Sequence, residues 1–182
     1  MWNKKLQEIK KMNAIFGEEI NDGATEKDIQ RFLEEIGDVI SEEYLHPYIN
    51  VLKRVNGLEF NGFILYGIDS TLLNNEPKQP INGFIDNNRV WHENEWQRKY
   101  IFFGDSNTRW YTYDLLTNKY YELDKPSGEI VDEFDNIDLL VDKLFGDALQ
   151  QFYLYLNIRT PESKTEYCFS KMQNTLFSRH LL

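Results

Sequence analysis

KYIFFGDSNTRWYTYDLLTNKYYELD, residues 99–124, decides the fold. Three aromatic, β-favouring runs occupy residues 99–104, 108–115 and 119–124, divided by Gly104-Asp105-Ser106-Asn107 and by Leu116 to Asn118. Gly accepts positive φ and short polar side chains bond the local backbone, so these separators are turns. Strands joined by turns this short run antiparallel, and the stretch predicts a meander. Pro126-Ser127-Gly128 closes it. Alternation puts Trp110 and Thr112 on one sheet face and Tyr111 and Tyr113 on the other. One face is core, and alternation alone does not choose between them.

Upstream, LEFNGFILYGID (58–69) reads as one or two strands around Asn61-Gly62, the strongest short hairpin signal. Residues 70–82, with Pro77 and Pro80, read as a loop, and Trp91 to Trp96 as loop-like or a helical turn. Three helices come before the strands. Trp2, Leu6, Ile9 and Met12 make one apolar stripe. Ile29, Phe32, Leu33 and Ile36 make a second, opened by Thr25 with Asp28 as a capping box and closed near Gly37. Pro47 starts the third, Tyr48, Leu52 and Val55 face inward, and Asn56-Gly57 stops it.

Downstream, Ile137, Leu140, Val141, Leu144 and Phe145 repeat at helical spacing, predicting a helix from Phe134. Acids from Asp132 to Asp138 would then sit at its positive N-terminal end. Residues 149–156 extend this helix or form a strand. Residues 157–182 are a separate extension of weak pattern.

The chain has 182 residues, enough for one domain with a real core and no staples. Apolar content of 41% excludes a disordered chain. The net charge of −10 makes nucleic acid and anionic membranes poor partners and a basic protein a good one. The charge is uneven. Residues 18–43 hold ten acids against Lys27 and Arg31, a net of −8. Residues 122–147 hold nine against Lys125 and Lys143, a net of −7, which leaves +5 for the remainder. No apolar run approaches the roughly 20 residues that span a bilayer. The N-terminus lacks the apolar region of a secretory signal, so the cytoplasm is expected.

Chemistry-bearing motifs are sparse. His46, His92 and His180 fall in three different segments. His92-Glu93-Asn94-Glu95 is the most metal-like cluster, but its spacing fits no zinc signature and a solvated polar loop explains it. Cys168, the only cysteine, reads as a small buried hydrophobe. Phosphate-cradling glycine motifs are missing. Neither a catalytic residue, a metal nor a cofactor is expected.

The order of these motifs resembles the SUKH superfamily, the Smi/Knr-like proteins. The resemblance spans roughly residues 20–150. It rests on Pro47, Leu52, Asn56 and Gly57, the 63–68 run, Ile101-Phe102-Phe103-Gly104-Asp105-Ser106 and Trp110-Tyr111-Thr112-Tyr113-Asp114. Residues 119–123 and the 134–144 helix complete it. His46 is inserted in Leu45-His46-Pro47-Tyr48 relative to the family pattern. The resemblance implies a single α+β domain over residues 1–156, with packed helices around a central, largely antiparallel sheet of about five to six strands. It also implies a non-enzymatic immunity protein that binds and neutralises a cognate bacterial toxin domain. A regulatory interaction module with another partner is the alternative, since eukaryotic relatives act in cell-wall signalling.

A nuclease toxin carries Lys and Arg to hold phosphate, so acids are the expected contacts: Glu122, Asp124, Glu129, Asp132, Glu133, Asp135 and Asp138, with Glu34 and Glu35. Aromatic anchors would supply affinity, and Trp91, Trp96 and Trp110 are the candidates. The plain alternatives are solvated helix faces for the acids and core packing for the tryptophans.

Overall fold

A computed structural model describes residues 1–37 and 40–155. Cys168, His180 and the 157–182 extension lie outside the described residues. The fold is α+β, a single domain with, among the described residues, five α-helices and a six-stranded antiparallel sheet.

The meander is as the turns dictate: β3 (Tyr100–Ser106), β4 (Arg109–Asp114) and β5 (Lys119–Asp124) pair in sequence. Asn61-Gly62 takes φ values of +54° and +78°, the type I′ turn that joins β1 (Leu58–Phe60) to β2 (Phe63–Leu65). Strand order equals chain order, from β1 at one edge to β6 (Ile130–Phe134) at the other.

β6 corrects the reading of a helix beginning at Phe134. Asp132 and Glu133 are poor strand formers, yet they pair with Glu122 and Tyr121 across β5. The α5 helix starts at Ile137 and runs to Tyr155, so only Asp138 stands in its first turn. It includes residues 149–155, so that stretch lengthens the helix and is not a strand.

α1 (Trp2–Ile15) packs on α5, and α5 packs on one sheet face. Trp2 meets Phe145 edge-on, and Lys5 binds Asp142 at 2.9 Å. α2 (Glu26–Ile36) opens with the expected capping box. Burial acts upward on the Asp28 carboxyl, but hydrogen bonds from Thr25 and Asn74 outweigh it and hold its pKa below the usual carboxylate range. α3 (His46–Leu52) carries Tyr48, fully buried, whose hydroxyl donates to the Tyr66 carbonyl and whose ring packs on Phe84 and Phe103.

α4 (Phe84–Trp91) was not expected: FIDNNRVW falls between the loop read at residues 70–82 and the turn at 91–96, a stretch given no element from the sequence. Its first turn is capped from afar. Asp69 Oδ2 accepts from Ile85 N at 2.9 Å and Oδ1 from Asp86 N at 3.0 Å. Gly83 permits this approach, because a Cβ there would lie 2.0 Å from Asp69 Oδ1.

α4 solves an edge problem. β2 pairs only with residues 104–106 of β3, so the first half of β3 lacks a strand neighbour on that side. Asn88 takes that place. Its Nδ2 donates to the Phe102 carbonyl and its Oδ1 accepts from the Phe102 N–H, both at 2.9 Å. One turn later, His92 Nε2 bonds the Tyr100 carbonyl at 2.8 Å. The buried edge is thereby satisfied by side chains of a helix.

Asn88→Ala strands both Phe102 groups and should cost about 3 kcal/mol in urea unfolding, with Asn88→Asp also destabilising because a carboxylate cannot donate. Asp28 is depressed in the folded state, so its stabilisation is full above its unfolded pKa. Urea midpoints should fall as pH drops through the lower folded value, and Asp28→Asn should flatten that dependence.

Candidate protein-binding surface

The residues expected to bind a partner fall in two places. Glu34 and Glu35 are exposed on α2, with Glu35 3.6 Å from Arg89 of α4. The others line β5, β6 and the start of α5, and they are not equivalent. Glu122 is buried, its carboxylate 3.0 Å from Arg109 Nε and 2.9 Å from Lys143 Nζ. Its charge is neutralised inside the protein, so it is not a surface acid. Asp124 is half-buried and shares Arg109 at 2.7 Å. Asp138 accepts from the Trp2 indole at 2.7 Å and ties α1 to α5.

The outward acids lie on and beside β6. Lys119 bridges Glu133 at 3.3 Å and Asp135 at 2.7 Å. Glu129 and Asp132 are exposed and form no ion pair among the described residues. β6 is an edge strand that leaves Ile130 and Val131 exposed between these acids. Charge on such a strand discourages indiscriminate edge-to-edge pairing while leaving room for a complementary partner.

The three candidate tryptophans converge. Trp91 ends α4, Trp96 lies in the short helical turn Glu95–Gln97, and Trp110 sits on β4. Ring centroids are 5.4 Å apart for Trp91–Trp110 and 5.9 Å for Trp96–Trp110. Trp110 is buried, Trp91 half-buried and Trp96 44% exposed, so Trp96 is the most exposed of the three. Lys125 covers the cluster from the β5–β6 turn, 4.9 Å from the Trp91 centroid, with its Nζ 2.7 Å from Asp105. Sheet register continues the cluster toward the edge: Trp110 pairs with Leu123, which pairs with Ile130. Exposed Trp96 and Ile130 thus belong to one sheet face, flanked by acids, the layout of an anchor within a charged rim.

The same sheet is core on both faces. Tyr111, on the face opposite Trp110, is buried and donates to Asp147 of α5 at 3.1 Å. Burial pushes its hydroxyl pKa well up, and the Asp147 and Glu122 charges push the same way.

Among the described residues, no group of three or more His, Cys, Asp and Glu side chains stands ready for a metal ion. Of the polar run 92–95, His92 serves the β3 edge, while Glu93, Asn94 and Glu95 are exposed. No described helix is long and apolar enough to cross a membrane. Comparison with known proteins finds no matching family model and no matching curated protein.

The tryptophans should separate by substitution. Trp110→Ala should cost about 3–5 kcal/mol in urea unfolding, because it empties a buried site. Trp96→Ala should cost under about 1 kcal/mol, as expected of a solvent-facing anchor.

Proposed function

We propose that this protein is an immunity protein, working in the cytoplasm by stoichiometric, non-catalytic binding of a cognate toxin domain. The observation that carries the reading is the β6 edge. It combines exposed Ile130 and Val131, the neighbouring Trp96, and a rim of Glu129, Asp132, Glu133 and Asp135. A basic domain, such as a nuclease with phosphate-binding lysines and arginines, is the complementary partner. Acids would speed encounter and select the partner, while Trp96 and Ile130 would lengthen its residence. The motif order shared with the SUKH superfamily supports the same role.

The test is co-expression with the toxin domain encoded beside this gene, scored for survival and co-purification. Rescue and a one-to-one complex are expected; no rescue and no complex sink the proposal. Within the complex, Glu129→Lys with Asp132→Lys should slow association at least tenfold in low salt and flatten its salt dependence. Trp96→Ala should instead raise the dissociation rate. An unchanged association rate would remove the acids from the interface.

A further inference from the structure

At the opposite edge of the sheet lies a second surface, built differently. The C-terminal end of α1, the edge of β1 and residues 78–80 enclose an open groove of about 990 Å³. Three aromatic rings form its apolar side. Phe60 and Phe16 both pack on Phe152, at 5.2 and 6.3 Å, and Phe16 is still 46% exposed.

β1 offers this groove a free main-chain position. The two-residue turn makes Phe60–Phe63 a hydrogen-bonded pair, so the neighbouring Glu59–Ile64 pair is not hydrogen-bonded. The Glu59 N–H and C=O therefore point away from β2, and neither has a hydrogen-bond partner among the described residues. Two and three residues earlier the opening is closed off: Asn21 Nδ2 donates to the Gly57 carbonyl, and Asn56 N donates to the Asp22 carbonyl.

Two further polar atoms in the groove wall are buried and unpartnered. They are Asn13 Nδ2, on a side chain only 4% exposed, and Gln79 Oε1. One is a donor and the other an acceptor, the two kinds of group that main-chain amides satisfy. Leaving them unmade is unfavourable in the unliganded protein. The charges point to the same class of ligand. Lys78 is held by Glu19 at 2.9 Å and Asp22 at 3.0 Å, while exposed Glu18 and Glu59 form no ion pair among the described residues.

The geometry points to a docking groove for an extended, basic–apolar segment of a partner polypeptide, added as a short strand beside β1. The segment residue opposite Glu59 would exchange two main-chain hydrogen bonds with it and present a Lys or Arg to its carboxylate. The flanking residues would point to the other face, where Leu58 and Phe60 lie, and their apolar side chains would meet Phe16, Phe60 and Phe152. This surface is separate from the β6 edge, and its test does not depend on the toxin.

The experiment is an amide NMR titration of the full chain with a pool of acetylated, amidated heptapeptides that alternate lysine with valine or phenylalanine. Saturable shifts are expected at Glu59 to Asn61, at the Asn13 side-chain amide and at Gln79. A matched pool with glutamate in place of lysine should leave these unshifted. Glu59→Lys and Phe16→Ala, both at exposed positions that spare the core, should each weaken binding at least tenfold. The absence of binding, shifts confined to other residues, or equal binding by both pools overturns the proposal. So does a concentration-dependent dimer abolished by Glu59→Lys. An intramolecular cross-link to residues 156–182, from a benzophenone amino acid replacing Phe16, would equally overturn it.

Discussion

The hydrogen-bond pair between the Asn88 side chain and the Phe102 main chain is the constraint on which the rest of the structure depends. A three-residue β2 cannot cover a seven-residue β3. The uncovered half is buried, so its N–H and C=O groups need partners. Docking α4 there supplies them, and α4 can approach only because Asp69 caps its first turn from across the Gly83 backbone. Once α4 is fixed, Trp91 and His92 follow at its C-terminal end. Trp91 meets Trp110, and the aromatic layer extends through Leu123 to Ile130 at the far edge. A buried amide at one side of β3 thus positions the surface argued to bind a partner.

Much of this was legible in the residues, and the failures have physical causes. Turn chemistry located β3, β4, β5 and the Asn61-Gly62 hairpin, because those turns depend on local φ preferences. The Thr25–Asp28 box was equally local. α4 was not, since its cap comes from Asp69 and its strongest fixture is Phe102, 14 residues from Asn88. Without these partners, FIDNNRVW is an Asn-rich stretch of modest helix preference. β6 was hidden for the converse reason. Its acids suit a helix N-terminus, but pairing with β5 overrides the local preference. The resemblance added the expectation of a five- to six-stranded sheet, and the sheet has six strands.

Charge was legible as a count and opaque as a field. The nine acids of residues 122–147 look alike in sequence. The fold turns Glu122 inward onto Arg109 and Lys143, gives Asp124 to Arg109, and binds Asp135 to Lys119. Only the topology says that Glu129 and Asp132 are left without a cation among the described residues. The convergence of three tryptophans from a helix, a turn and a strand was hidden for the same reason, because no spacing rule relates positions 91, 96 and 110. The groove beside β1 left no sequence signal either: its parts come from α1, β1, α5 and residues 78–80.

The tryptophan cluster also gives the molecule an optical property. Three of its four indoles lie within one contiguous edge-to-face cluster, while Trp2 stands apart against Phe145. At these separations absorbed light is shared among the rings before it is emitted. The outermost member, Trp96, meets solvent and whatever displaces it. Emission from the cluster therefore includes one solvent-facing ring, and a partner bound over Trp96, as proposed, would change that emission without any label.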